Sequence, residues 1–117
     1  MEATILKKEI SFEEILHGDH HIIATGKLAA SLTNLKAGMV LKETAAQSGI
    51  YTPVTSTDTT SGIAVLLEDV EDSGKTDGTP IVIHGVVKRT KLLNATGSAV
   101  PATVIAALRA NGIYAIA

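Results

Sequence analysis

The run Ile81-Val82-Ile83-His84-Gly85-Val86-Val87-Lys88 limits the fold more than any other stretch of the chain. β-Branched side chains stiffen an extended backbone and pack well on a pleated surface. This segment is therefore read as a β-strand. Gly85 inside it predicts a bulge or a close backbone contact, and Lys88-Arg89-Thr90-Lys91 marks its solvated end. A second run, Ile63-Ala64-Val65-Leu66-Leu67, is apolar on both faces, as a central buried strand should be.

A sheet must bury its apolar face against another layer. Only Phe12, Tyr51 and Tyr114 are aromatic, so the core has to be built from Val, Ile, Leu and Ala. Each buried Val, Leu or Ile contributes roughly 1.5–3 kcal/mol. The entropy of ordering the chain opposes these gains with a comparable total. One domain of 117 residues built this way is expected to be modestly stable alone and to gain from association.

The remaining punctuation places the other elements. Lys36-Ala37-Gly38 reads as a turn into a strand over Met39–Lys42, and Gln47-Ser48-Gly49 as a second turn. Ile50–Val54 then pairs back as a hairpin, with Pro53 suited to an edge because it has no N–H to donate. Thr55–Ser61 and the acidic stretch Glu68–Gly78 read as surface loops. Pro101 suits a first helical position, and Val104, Ile105 and Leu108 fall on one helical face. Asn111-Gly112 stops that helix, and Ile113–Ala117 is a short final strand. The fold class expected is mainly β with one short C-terminal α-helix. A compact β domain over residues 26–117 would follow a net acidic N-terminal arm over residues 1–25. Within the arm, Ser11-Phe12-Glu13-Glu14 matches a capping box, predicting a helical turn from Phe12 to Leu16 that ends at Gly18.

Several function classes find little support. A formal net charge of −2 gives no basic stripe for nucleic acid. There is no cysteine for thiolate or disulfide chemistry. Met1–Lys8 has no apolar leader core, and no apolar run approaches the ~20 residues of a membrane-crossing helix. Ser73-Gly74-Lys75-Thr76 looks superficially like a phosphate loop. The motif, however, needs glycine where Asp69 stands, and a strand rather than a helix follows Pro80. His17, Asp19, His20 and His21 are read as a solvated loop, since adjacent histidines in extended chain point to opposite sides. His84 is read as a core or interface histidine, with no nucleophile motif beside it. Asn94-Ala95-Thr96 is only a formal glycosylation acceptor. Glu68, Asp69, Glu71 and Asp72 lack a calcium-loop spacing and read as a solvated face, or as a partner for Lys88, Arg89 or Lys91 of a neighbouring subunit. No catalytic, cofactor-binding or metal-ligating residue is assigned, and no enzymatic activity is expected.

Residues 36–117 resemble the lambda-type head-decoration proteins of tailed bacteriophages. The likeness is carried by Lys36–Lys42, by Ser61–Val70, by Val82–Val87 and by Thr103–Ile113, in order and spacing. The resemblance implies a mostly β protein that forms a homotrimer on the outer surface of the capsid, clamps major capsid protein subunits and is made in the host cytoplasm. No cofactor, nucleic-acid partner or membrane is expected. The resemblance also implies that residues 1–25 act as an arm contacting the shell, with Ala3, Thr4, Ile5, Leu6, Phe12 and Ile15 as candidate contacts. Ala3-Thr4-Ile5-Leu6 is uncharged and contains good strand formers, so it could add a strand to an exposed sheet edge. The alternative is a small β-clip-like ligand-binding module of a bacterial enzyme. That reading expects a concave pocket with converging polar groups, for which His84 and Tyr51 are the candidates.

Overall fold

In a computed structural model, the described residues are 15–16, 21–45, 48–58, 62–75 and 78–116. The elements are β1 (Ile22–Leu28), β2 (Thr33–Leu35), β3 (Val40–Glu43), β4 (Ile50–Pro53), β5 (Ala64–Leu66), β6 (Val70–Asp72), β7 (Thr79–Lys88), α1 (Ala102–Ala110) and β8 (Ile113–Ile116). Single 3-10 turns lie at Ser73–Lys75 and Arg89–Lys91. The architecture is mainly β with one helix near the C-terminus, as the residue pattern predicts.

Strand order β1-β4-β3-β5-β7 closes on itself, because β7 also pairs with β1. The result is a small barrel, whose five strands each pair on both sides, leaving β8 as the edge of the sheet. Four of the joints are antiparallel, and β1 meets β4 in parallel through Lys27↔Ile50 and Leu28↔Tyr51. The ten-residue β7 serves two structures. Its first part, from Thr79 to His84, pairs with β1, and its last part, from Gly85 to Lys88, runs parallel to β8. A short antiparallel pair, β2–β6, caps the assembly separately through Thr33↔Asp72 and Leu35↔Val70.

Both faces of the sheet are buried, by different means. Leu41, Ala64, Leu66 and Ile81 point into the barrel, where Leu28, Leu35, Met39 and Val70 join them. Their chain neighbours Val40, Val65 and Val82 point outward and pack with Val104, Ile105 and Leu108 of α1. This explains why β5 is apolar on every residue: each of its faces has a core to meet. The barrel is narrow enough that β1 must pass Ile81 closely. A Cβ on Gly26 would lie 2.7 Å from Ile81 Cδ1, so the missing side chain makes room for the isoleucine.

Several sequence expectations change. Glu68–Gly78 is not wholly a loop, because Val70–Asp72 forms β6, and Val70 is buried beside Leu35. β1 and β2 were not foreseen, and the expected arm boundary at residue 25 falls inside β1. Most of the expected Phe12–Leu16 turn lies outside the described residues. Its last residue, Leu16, forms an antiparallel bridge to Val87. Ile15 and Leu16 are both buried in the helix-side core, with the Lys88 N–H donating to the Ile15 carbonyl at 2.7 Å.

Candidate interaction surface

Alternation along the strands decides which side chains meet water. Val87, Ile113 and Ala115 belong to the helix-side core, so Val86, Lys88, Tyr114 and Ile116 face the opposite way. Ile22 lies two residues from the inward-packed Ala24 and shares that opposite face, paired with His84. The register shifts between Ile22 and Ile23, across from β7 residues 82–84. Such a bulge lets His84 emerge beside Ile83 and restores the helix-side face at Val87.

Beyond the barrel mouth no layer covers this face among the described residues. Ile22 is 54% exposed, Tyr114 47% and Ile116 39%, and Ile23 nearby is also exposed. Val86 is half-buried between them. His84 leans toward β8, since a Cβ on Gly112 would lie 3.1 Å from its Cδ2. No described strand pairs with the outer edge of β8. An apolar face joined to an open strand edge can recruit protein by burial and by main-chain hydrogen bonding at once.

A second concavity is chemically different. A cleft of ≈ 590 Å³ is lined by Thr33, Asn34 and Glu68 to Asp72. Two of its carboxylates are occupied in holding the backbone. Asp69 Oδ1 accepts the Ala37 N–H at 2.8 Å, and Asp72 Oδ1 accepts the Gly74 N–H at 2.9 Å. Asp69 also meets Lys36 at 3.9 Å, with both side chains well exposed, a contact worth little in water. His84 and Tyr51, the pocket residues expected of a ligand-binding module, do not line this cleft. Tyr51 packs against the barrel core instead.

The other sequence motifs resolve as structural parts. Ser73 is buried, its hydroxyl donating to the Ala29 carbonyl at 2.7 Å and accepting the Leu32 N–H at 3.0 Å. It fastens the β1–β2 loop. Asn94 is 6% exposed, and its Oδ1 accepts from Thr96 N, Thr96 Oγ1 and Ser98 N. That carboxamide braces a turn and is poorly presented for modification.

No family model matches this chain, and no curated protein is significantly similar to it. Of the candidate shell contacts, Ala3, Thr4, Ile5, Leu6 and Phe12 lie outside the described residues, as do His17, Asp19 and His20. Ile15 is 3% exposed and packs inside the domain, so it has little surface left for a second partner. Sequence reading passed over Ile22, Tyr114 and Ile116. For Tyr114 and Ile116 the alternation Ile113-Tyr114-Ala115-Ile116 was the available signal. Only the position of α1 says which half of it faces water.

Proposed function

We propose that this protein is a capsid-decoration protein: a homotrimer that binds the outside of a phage head, contacts the major capsid protein and cements the shell. One observation carries the reading. An aliphatic barrel presents Ile22, Tyr114 and Ile116 together on a face that, among the described residues, nothing covers, beside a β8 edge that no described strand pairs with. Such a surface supports association between protein subunits better than it supports chemistry on a small molecule. The body is tied down on both faces of its sheet, which suits a part that must transmit load.

The work is mechanical. A trimer bridging neighbouring shell subunits adds contact area across the seams. Interfaces of roughly 800 Å² per partner range from weak to tight according to their anchors. Three attachments on one trimer act in concert, so modest single contacts add up to slow release. The test is direct: purified protein is mixed with expanded, undecorated heads and imaged. Added density at three-fold positions is expected. Heads that stay bare at saturating protein would refute the proposal.

A further inference from the structure

The turn that follows α1 holds an asparagine and then a glycine, the dipeptide most open to intramolecular attack because glycine places no side chain in the way. We propose that Asn111 is a self-modification site whose reaction is gated by opening of this turn. In the folded chain Asn111 is exposed to water, and its carboxamide is engaged. Nδ2 donates to the Ala107 carbonyl at 2.9 Å and to the Gly62 carbonyl at 3.1 Å, on the segment leading into β5. The would-be nucleophile is engaged as well, since the Gly112 N–H donates to the Arg109 carbonyl at 3.0 Å.

The backbone adds a third restraint. Ring closure needs the Gly112 nitrogen eclipsed with Asn111 Cβ. Asn111 sits at φ −102° and ψ 9°, which turns that nitrogen away. Reaction therefore waits for the turn to open. Once open, the Gly112 nitrogen loses its proton to solvent base and attacks Asn111 Cγ. The new C–N bond closes a succinimide as the Cγ–Nδ2 bond breaks, and the nitrogen leaves as ammonia. Water then opens the ring at either carbonyl, giving aspartate or isoaspartate.

Either product damages the latch. A carboxylate replaces the two-armed donor, faces the Ala107 and Gly62 carbonyl oxygens, and adds negative charge at the negative end of the helix dipole. Isoaspartate also adds a main-chain carbon ahead of Gly112, whose carbonyl accepts the Gly85 N–H at 3.1 Å and starts the β7–β8 register. Local opening sets the rate, so the site records how often the α1–β8 corner unfastens.

The experiment incubates the full-length chain in mildly alkaline buffer, with and without guanidinium, and follows each asparagine by peptide mass mapping and isoaspartate labelling. Asn34-Leu35 and Asn94-Ala95 are internal references that lack the following glycine. Asn111 should convert at least about tenfold more slowly in native buffer than in guanidinium, a factor set by the opening equilibrium. In guanidinium it should outpace both references. Equal Asn111 rates in the two conditions would overturn the gating, and no conversion in guanidinium would overturn the site itself. The Asn111→Asp variant, carrying the product's charge, should unfold at a lower denaturant midpoint than the unmodified chain. An unchanged midpoint would overturn the latch.

Discussion

Asp58 shows how single residues tie this chain's loops to its sheet. Its carboxylate accepts from Lys42 Nζ at 2.8–2.9 Å, from the Thr55 N–H at 2.7 Å and from the Thr55 hydroxyl at 2.9 Å. The Lys42 hydrogen bond, followed by that of the Thr55 backbone, lowers its pKa from 3.8 to about 2. A carboxyl lowered on folding holds fewer protons folded than unfolded, so its contribution is complete above the unfolded pKa. It fades as pH falls from about 4 to about 2. At neutral pH Asp58→Asn should cost about 1 kcal/mol, less than the full shift implies, because both partners stay partly exposed to water. Denaturant midpoints of the two proteins should differ at pH 7 and converge near pH 2; a gap that persists in acid would argue against the carboxylate as the source. Thr79 is the converse case. It is 1% exposed, and its Oγ1 finds no hydrogen-bond partner among the described residues. Thr79→Val keeps the shape and removes the stranded hydroxyl, so urea unfolding should show a gain of about 1 kcal/mol.

Elements in this fold are fixed by what passes beside them. Gly38 stands at the entry to β3 with φ +97°, and a Cβ there would lie 2.1 Å from the Lys91 carbonyl oxygen. Its N–H donates to the Leu66 carbonyl, and its carbonyl accepts the Leu93 N–H, so it knots β3, β5 and the segment after β7. Gly38→Ala combines strained backbone with a clash against main chain. It should cost more than about 3 kcal/mol, visible as a fall in thermal midpoint or as loss of soluble protein. Pro53 was expected at a sheet edge, yet β4 lies between β3 and β1, and the proline is tolerated because it ends the strand. The Val54 N–H reaches the Val40 carbonyl and the Tyr51 carbonyl reaches Ala29 N–H on the other side. The donor that Pro53 lacks would therefore point past the end of β1, where no ladder continues. α1 was legible beforehand, since Val104, Ile105 and Leu108 are its buried residues. β1 was not: glycine and threonine dilute its signal, and the room that Gly26 leaves counts only once the Ile81 side chain packs beside it.

At the scale of the whole molecule, the two cores leave the apolar stretch around Ile22, Tyr114 and Ile116 uncovered by any described residue. If that stretch is the association surface proposed above, the combined variant Ile22→Ser, Tyr114→Ser, Ile116→Ser should keep its fold. All three side chains are more than a third exposed, and surface changes of this kind usually shift stability little. Sedimentation at micromolar concentration should show a trimer for the parent and a monomer for the variant. A variant that remains trimeric would move the interface elsewhere on the molecule.

Local chemistry was enough for the strands over residues 63–67 and 81–88, the hairpin whose returning strand starts at Ile50, and the C-terminal helix with its closing strand. β-Branched runs, turn residues and helical spacing act over a few neighbours and need no partner to be recognised. Closure of β7 onto β1, the pairing of β2 with β6, the burial of Ile15 and the exposure of Tyr114 depend on segments far apart along the chain. Those contacts come into being only when the sheet curls into a barrel and α1 covers one of its two faces, which is why tertiary structure alone decided them.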